Sequence, residues 1–411
     1  MCDNDIKIVY DSSKVLGPKR AAIKDGDVLN GPPRKARRMA TPHPTSNETL
    51  ATSPNSSDQQ STSEEETTIK ISYRSVLPDF DSISVKSTIE CGKSVYKIKK
   101  CNSYSPHGTF GKVASGRNLE NDRPVAIKIS KPLKGNLLEA QILSELSKDR
   151  LNKHVVKYFG HVVKDGLLYL VVEQLDRTLS DAVNAYDDFV PLHFMNKVSK
   201  QLFQGLEYLK SKGITHKDIK GNNIMLGCWD NVKFIDFGSA KMEGKKGNGL
   251  TPVASYSSPE TLLGGEHSYP ADLWSVGVLC LNMWAKARIF YGETDGQMLY
   301  SICSVFVVPT EPLDAPRFSE FFKLCRTTNQ YVFIEKPKHK CKIIDPYVLK
   351  RNHAMQYDAG VPASYYDFWH VIGSIFKWNP QHRATPTEVL GMPFFTSFSM
   401  TVKRPSNPTS K

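Results

Sequence analysis

Four polar residues lie close together near the middle of the chain, at a spacing that suits phosphoryl transfer. Asp218, Lys220 and Asn223 fall within six residues, and Asp236 follows thirteen residues later. Such a transfer needs oxygen ligands for Mg²⁺, a carboxylate that orients and deprotonates the incoming hydroxyl, and a cation beside the transferred group. The spacing predicts that Asn223 and Asp236 hold the metal. Asp218 is then the candidate base, and Lys220 the candidate cation.

A lysine and a glutamate further upstream could supply a second charged pair. Between Val125 and Ile129, strand alternation places the three β-branched residues on one face and Ala126 with Lys128 on the other. Glu139 shares a helical face with three apolar residues, and a carboxylate on such a face needs a cation. The pattern predicts a Lys128–Glu139 pair that holds the lysine extended toward ATP. A surface lysine on an edge strand is the alternative.

A stretch containing glycines precedes this strand. Gly108, Gly111 and Val113 lie between two segments with strand-like alternation. Glycines let backbone amides approach phosphate oxygens without a side chain in the way, so the stretch is a candidate nucleotide loop. Taken alone it is a weak signal, because Gly-x-x-Gly in a hairpin is usually a turn.

These residues require a small sheet and a larger helical region to position them. Between about residues 70 and 175 the apolar residues alternate with period two, with one helical interruption at 136–148. From residue 190 onward helical periods dominate. Two short apolar strands put Asp218 and Asn223 before a hairpin and Asp236 after it. The sequence predicts an α+β fold of two lobes, a small β-rich N-terminal lobe with one key helix and a larger, mostly helical C-terminal lobe.

The order of these motifs resembles that of eukaryotic protein kinases over roughly residues 95–398. The chain also has a Ser-Pro-Glu run ending at Glu260, an Asp-Leu-Trp run beginning at Asp272, and a late Arg383. The resemblance implies that Glu260 pairs with Arg383 and that Asp272 braces the catalytic loop. It implies a two-lobed kinase that transfers the γ-phosphate of ATP to protein hydroxyls with Mg²⁺. Lys220, two residues after Asp218, is typical of the serine/threonine class.

Within protein kinases the chain is similar to the group that contains cyclin-dependent kinases and glycogen synthase kinase-3, as a divergent member. The run 168–175 resembles the hinge of cyclin-dependent kinases, which implies that Val172 is a small gatekeeper. The stretch of about 310–350 occupies the place of this group's insert, and a plain loop is the alternative. The resemblance implies ATP contacts at Gly108, Gly111, Val113, Ala126, Lys128, Glu173, Leu175 and Met225.

Several positions depart from the kinase pattern. Pro106 stands where the first loop glycine is usual, Lys217 replaces an arginine, and Ser258 replaces an alanine. Leu138 occupies one of three basic positions with which the resembling family binds a primed phosphoserine, so the sequence does not predict primed substrates. These departures leave a second interpretation open, a catalytically weak pseudokinase scaffold that binds protein partners. The retained catalytic-type residues favour the enzyme.

The remaining segments are interpreted from composition. Residues 1–68 are rich in Ser, Thr, Pro and Asn, and we expect a disordered tail that is basic and then acidic. We assign 69–94 to an N-terminal extension, 95–175 to the kinase N-lobe and hinge, 176–398 to the C-lobe, and 399–411 to a polar tail.

Two basic clusters within residues 19–38 have the form of a bipartite nuclear import signal. An import receptor is therefore a candidate partner besides protein substrates, and we expect a location in the nucleus, the cytoplasm or both. The N-terminal residues lack the order of a secretory signal, and no stretch approaches the roughly 20 apolar residues that span a bilayer, so no membrane partner is expected. No helix matches the cyclin-binding signature, so no cyclin is predicted.

The chain of 411 residues carries a formal charge of +12 and eight scattered cysteines. The first 68 residues hold 9 basic and 10 acidic residues, so the excess positive charge lies on the remainder. A basic surface suits acidic or phosphorylated proteins as well as nucleic acid, and charge alone does not favour nucleic acid as a partner. The cysteines lack metal-ligand spacing and are expected to be reduced thiols.

Overall fold

The structure is a computed structural model that describes residues 87–102, 111–149, 152–244, 254–306, 308–334 and 363–397. The two predicted tails, 1–68 and 399–411, lie outside the described residues. So do Pro106, Gly108 and the second half of the expected insert. Among the residues described, no helix is long and apolar enough to cross a membrane.

The N-terminal lobe contains six antiparallel strands. They are β1 (Thr88–Cys91), β2 (Ser94–Asn102), β3 (Lys112–Asn118), β4 (Pro124–Ser130), β5 (Tyr158–Lys164) and β6 (Leu167–Glu173). Their order across the sheet is β1-β2-β3-β4-β6-β5. The alternation predicted for β4 is confirmed, because Val125, Ile127 and Ile129 are buried on one face while Ala126 and Lys128 face the other. The sheet begins at Thr88, within the stretch that we assigned to an N-terminal extension.

The two outermost strands of this sheet meet each other. Lys164 Nζ on β5 donates to the carbonyl oxygen of Thr88 on β1, at 3.4 Å. Gly160 on β5 lies so close to Cys91 on β1 that an added Cβ would overlap the sulfur. The sheet thus curls around its own apolar core. Among the core members are Ile89, Tyr96, Ile98, Ala114, Ile127, Leu167 and Val171.

One long helix, α1 (Lys134–Ser147), packs against the other side of this sheet. It begins two residues before and ends one residue before the predicted 136–148. Its buried residues include Ile142, Leu143 and Leu146, which join the large core of the C-terminal lobe. The helix therefore packs on both lobes, and Glu139 lies on its buried side.

The C-terminal lobe is mostly helical, as predicted. Its helices are α2 (Leu179–Asn184), α3 (Leu192–Ser211), α4 (Pro259–Leu262), α5 (Tyr269–Ala285), α6 (Asp295–Val305), α7 (Phe318–Phe321), α8 (Ala363–Ile375), α9 (Pro386–Leu390) and α10 (Pro393–Thr396). Helix α5 is apolar nearly all round because the lobe packs about it, and Trp274 and Trp284 are both buried.

Short strands of the C-terminal lobe flank the predicted site residues. They are β7 (Arg177–Thr178), β8 (Ile214–Thr215), β9 (Ile224–Gly227), β10 (Asn231–Phe234) and β11 (Lys241–Met242). Strands β9 and β10 form the predicted hairpin, and β11 pairs with β8. Asp218 and Asn223 precede the hairpin and Asp236 follows it, so the hairpin brings the ends of both segments together.

A second strand pair lies in the described part of the expected insert. Strands β12 (Phe322–Cys325) and β13 (Gln330–Phe333) are antiparallel, and Phe322 packs edge-on against Trp378 at 5.5 Å between ring centroids. From residue 190 onward the sequence predicted helices, and it did not indicate this strand pair. Tyr331, Val332 and Phe333 of β13 are consecutive apolar residues, so this strand lacks the alternation that would predict it.

Candidate active site

Lys128 lies between two carboxylates contributed by different parts of the fold. Its Nζ atom is 2.7 Å from Glu139 Oε2 on α1 and 2.7 Å from Asp236 Oδ1 after β10. The structure thus brings the predicted lysine and glutamate together, and it adds a contact with Asp236 that the sequence did not indicate. The three charges join the sheet, the helix and the C-terminal lobe at one point.

The surroundings of this cluster shift the pKa of each member. Burial alone would lower the pKa of Lys128, but the carboxylates of Glu139 and Asp236 raise it above the ordinary lysine value. Burial raises the pKa of Glu139, and the nearby ammonium opposes that shift. Burial also acts to raise the pKa of Asp236, but the attraction of Lys128 outweighs it and lowers the pKa. Lys128 is therefore a fixed cation across the physiological pH range.

The Asp-Phe-Gly run is arranged by its backbone. Asp236 has a φ of 61°, in the left-handed region, which turns the chain sharply after β10. Phe237 is fully buried and its ring lies 4.8 Å from that of His216, centroid to centroid. A Cβ on Gly238 would lie 3.3 Å from Asp236 Oδ1 and 3.7 Å from Glu139 Oε2. A side chain there would require Asp236 to shift by a few tenths of an ångström, so the glycine leaves room for the charged cluster.

Residues 216–223, between β8 and β9, form a loop that we call the catalytic-type loop. Its own polar groups hold it in place. Lys220 Nζ lies 3.0 and 2.7 Å from the two carboxylate oxygens of Asp218. Asn223 Nδ2 donates to Asp218 Oδ2 at 2.7 Å and to its backbone oxygen at 2.9 Å. The amide nitrogen of Asn223 is thereby committed to Asp218, which leaves the amide oxygen as the acceptor for another ligand. The structure brings these three predicted residues together.

Asp272, at the start of α5, accepts hydrogen bonds from the backbone of this loop. The N–H of His216 donates to Asp272 Oδ2 at 2.6 Å, and that of Lys217 to Oδ1 at 3.0 Å. His216 Nε2 donates to the carbonyl oxygen of Ile235 at 3.0 Å. The loop is thus tied both to α5 and to Ile235, the residue that precedes Asp236. The brace that the resemblance implied for Asp272 is present.

A buried ion pair supports the far side of the lobe. Arg383 donates through two nitrogens to the carboxylate oxygens of Glu260, and its guanidinium lies 5.0 Å from the ring centroid of Trp274. Three backbone carbonyls, of Pro270, Lys377 and Trp378, accept further bonds from Arg383. This is the pair that the resemblance implied. It fixes α4, at the end of the segment that begins at Asp236.

Comparison with known proteins agrees with this geometry. The model of the protein kinase domain matches residues 107–395. The chain belongs to the protein kinase family.

Several kinases align with the chain at modest identity. The DYRK-family kinase pom1 of Schizosaccharomyces pombe is 27% identical over 73% of this chain and 27% of its own length. The probable cyclin-dependent kinase 10 of Dictyostelium discoideum is 27% identical over 74% of this chain and 80% of its own. A dual specificity protein kinase YAK1 homolog of Arabidopsis thaliana is 32% identical over 53% of this chain and 24% of its own. The chain thus spans a quarter to a half of several relatives. Their names confirm the predicted kinase group.

The positions expected to contact ATP are only partly described. Ala126 lies opposite the expected gatekeeper Val172, and Val113 lies opposite Lys128, in the strand pairing of the sheet. Leu175 is buried and Met225 half-buried, while Val113 is exposed. Of these residues, Val113 and Ala126 lie next to Lys128 in the sheet.

Gly111 of the kinase loop has a structural reason for being glycine. Its φ is 135°, and a Cβ there would collide with the carbonyl oxygen of Ile129 on β4. The residue is therefore required by the close approach of the loop to β4, whatever its nearness to a phosphate. Gly108 lies outside the described residues.

The hinge of the kinase domain contains a contact that the sequence did not reveal. The side chain of Glu173 accepts from the N–H of Lys157 at 2.7 Å and lies 3.2 Å from Lys233 Nζ on β10. Lys233 also donates to the carbonyl oxygen of Val155 at 3.2 Å. The resemblance implied that Glu173 contacts ATP. Its carboxylate in addition ties the end of β6 to the hairpin below.

His267 was also missed. It lies in the short connection between α4 and α5, and its Nε2 donates to Asp272 Oδ1 at 2.9 Å. A single histidine in a loop has no periodic signal, so only the folded structure shows that it reaches the residue that braces the catalytic-type loop.

Proposed function

We propose that this chain is a Mg²⁺-dependent protein serine/threonine kinase that transfers the γ-phosphate of ATP to protein hydroxyls. The observation that carries the proposal is the position of the Lys128 ammonium between Glu139 and Asp236, 2.7 Å from each. This arrangement fixes a cation at the junction of the two lobes, beside a loop that holds Asp218 and Asn223. A lysine held in this way can pair with phosphate oxygens of a nucleotide.

The residues of the loop take complementary roles in this proposal. Asp218 orients the substrate hydroxyl and accepts its proton as the hydroxyl oxygen attacks the γ-phosphorus. The bond between that phosphorus and the bridging oxygen breaks, and ADP leaves. Lys220, bound to both carboxylate oxygens of Asp218, supplies positive charge beside the transferred group.

The donor set suits a hard cation. The amide oxygen of Asn223 can serve as a metal ligand, because its amide nitrogen makes the bonds to Asp218. Asp236 supplies a carboxylate whose pKa lies below the usual range. Within the described ranges no group of three or more His, Cys, Asp or Glu side chains could hold a metal alone. Mg²⁺ in kinases is held by one or two side chains together with nucleotide phosphates, which fits this set. The ion would neutralise phosphate charge.

The proposed substrates are protein serines and threonines. The support is Lys220, two residues after Asp218, together with relatives named as serine/threonine kinases. One relative is named a dual specificity kinase, so phosphoamino-acid analysis of the products should be included. We further propose a nuclear or cytoplasmic location, with residues 19–38 read by an import receptor and without a cyclin partner.

Transfer of radiolabelled phosphate from ATP to myelin basic protein tests the proposal. Wild type should label the protein on serine or threonine, and Asp236→Asn should abolish the signal. Asp188→Asn, the same chemical change at an exposed position of the C-terminal lobe, serves as the matched control and should label normally. If wild type binds ATP but transfers nothing, the pseudokinase scaffold replaces the enzyme. Labelling mainly on tyrosine would refute the serine/threonine assignment.

A further inference from the structure

A buried histidine outside the nucleotide cleft contacts the residue that organises the catalytic-type loop. We propose that His267 is a positioning residue. Through Asp272, it links the end of the segment 236–260 to the catalytic-type loop and helps to hold that loop in place. The inference rests on the proposed kinase function and extends it to a residue outside the motifs of the sequence analysis.

The contact between His267 and Asp272 is almost completely removed from solvent. Their side chains are 3% and 1% exposed, and His267 Nε2 lies 2.9 Å from Asp272 Oδ1. Because a carboxylate oxygen can only accept, Nε2 carries the proton. The same carboxylate accepts from the backbone N–H groups of His216 and Lys217. Asp272 thus accepts from three donors. Two of them belong to the catalytic-type loop, and His267 supplies the third.

The other ring nitrogen of His267 faces a chain of hydroxyls. Nδ1 lies 3.5 Å from Thr261 Oγ1 on α4, and that oxygen lies 2.9 Å from Ser258 Oγ. In the tautomer with its proton on Nε2 alone, Nδ1 can accept from Thr261 while Thr261 accepts from Ser258. Ser258 is the residue that replaces the usual alanine of the kinase pattern, and it is fully buried. The substitution therefore adds a hydroxyl that continues this network.

The backbone that leads from α4 to His267 is held in place. Gly265 donates to the carbonyl oxygen of Glu260 at 2.8 Å, and an added Cβ would lie only 2.9 Å from that oxygen. Gly264 has a φ of 81°, a conformation that favours glycine. Glu260 is in turn held by both donors of Arg383. A displacement of α4 is therefore transmitted to His267 rather than absorbed by the connection.

This arrangement differs from a histidine that merely fills space. A space-filling residue would contact apolar neighbours, and any side chain of similar volume could replace it. Here both ring nitrogens have polar partners, one on α4 and one on α5. Removal of the ring leaves Asp272 with two donors instead of three and its Oδ1 atom partly unsatisfied in a buried position. The N–H groups of His216 and Lys217 would then be held less firmly.

Hydrogen–deuterium exchange tests the proposal without any need for activity. In the full chain, His267→Leu should speed exchange in the peptide that covers residues 214–220, while peptides from β3 and β4 remain unchanged. His267→Gln keeps an N–H donor that reaches Asp272, and should restore the slow exchange. His193→Leu, the same change at an exposed position on α3, is the matched control.

Steady-state kinetics supplies the second measurement. We expect His267→Leu to lower kcat by roughly 10- to 100-fold, because small displacements of catalytic groups have effects of this size. The KM for ATP should stay within about twofold of wild type, since the residues around Lys128 are untouched, and His267→Gln should recover most of kcat. Thr261→Val, which removes only the hydroxyl, should lower kcat less than His267→Leu does.

The outcomes separate this inference from the proposed function. If wild type transfers no phosphate, the kinase proposal fails, and exchange alone then decides the role of His267. If the His267→Leu variant is folded and the amide hydrogens of residues 214–220 exchange at the wild-type rate, the positioning role is overturned. It is also overturned if His267→Gln is as impaired as His267→Leu, or if exchange quickens equally in β3 and β4, because a general loss of stability would then explain the result.

Discussion

Arg383 donates to both carboxylate oxygens of Glu260, at 2.7 and 2.6 Å, although 123 residues separate them in the chain. The two side chains are 1% and 7% exposed, so neither has water as an alternative partner. Removal of one partner therefore leaves a buried charge without compensation. The pair ties the C-terminal end of the domain to the end of the segment 236–260.

We expect Arg383→Met to lower the free energy of unfolding by about 3–5 kcal/mol, the usual cost of breaking a buried ion pair from one side. Urea denaturation followed by circular dichroism measures this change. The double variant with Glu260→Met should be more stable than Arg383→Met alone, since it no longer buries a lone carboxylate. Additive losses in the double variant would show that the ion pair contributes little and that packing of the arginine dominates.

We expect Glu139→Gln to reduce phosphate transfer by at least tenfold while the protein remains folded. The amide cannot balance the Lys128 ammonium, so the lysine loses one of the two carboxylates that lie 2.7 Å from it and its position is less well defined. Kinetics with ATP and myelin basic protein measures the effect. Glu145→Gln, on the exposed side of the same helix, is the control. Equal activity of the two variants would contradict a role for Glu139.

We expect Gly160→Ala to destabilise the N-terminal lobe, because its φ is 150° and the new Cβ would overlap Cys91. Thermal denaturation measures the loss. Gly92→Ala is a control for backbone strain, since Gly92 has a φ of 63° and open space around it. Adding Cys91→Ala should recover the steric part of the loss in Gly160→Ala. No recovery would indicate that backbone strain alone is responsible.

We expect Cys325 to be alkylated by iodoacetamide with a midpoint near pH 7. Hydrogen bonds from Thr328 and Thr327 lower the pKa of its thiol to about 7, and the thiolate that reacts is therefore populated above that pH. Cys303 is the internal control, because burial raises the pKa of its thiol to about 12. Mass spectrometry of peptides after brief labelling at pH 6, 7 and 8 measures both. A midpoint for Cys325 above pH 8.5 would contradict the hydrogen bonds from Thr327 and Thr328. Equal labelling of the two cysteines at pH 8 would contradict the difference between their pKa values.

The main architecture could be read from the sequence because its signals are local. Alternation at Val125, Ile127 and Ile129 marked the buried face of β4, and the helical face of Glu139 indicated α1. The hairpin between Asn223 and Asp236 was visible as two apolar runs separated by a turn. In each case the period of the element is contained in a few residues, so no knowledge of distant contacts was needed.

The contacts that the sequence did not reveal are those between distant segments. Lys233 and Glu173 are 60 positions apart, and nothing in either segment shows that they meet. The second charged contact of Lys128, with Asp236, also depends on how the lobes pack. His267 lies in a connection without regular structure. Such pairs are fixed by tertiary packing, and a single sequence carries no direct signal for them.

The meeting of β1 and β5 has a consequence for association between copies of this protein. The outermost strand of a sheet normally offers unpaired backbone groups to which a strand from another molecule can add. Here Lys164 bonds to Thr88 and Gly160 lies against Cys91, so each outer strand covers the flank of the other. A strand from another molecule could add at this point only by displacing these contacts.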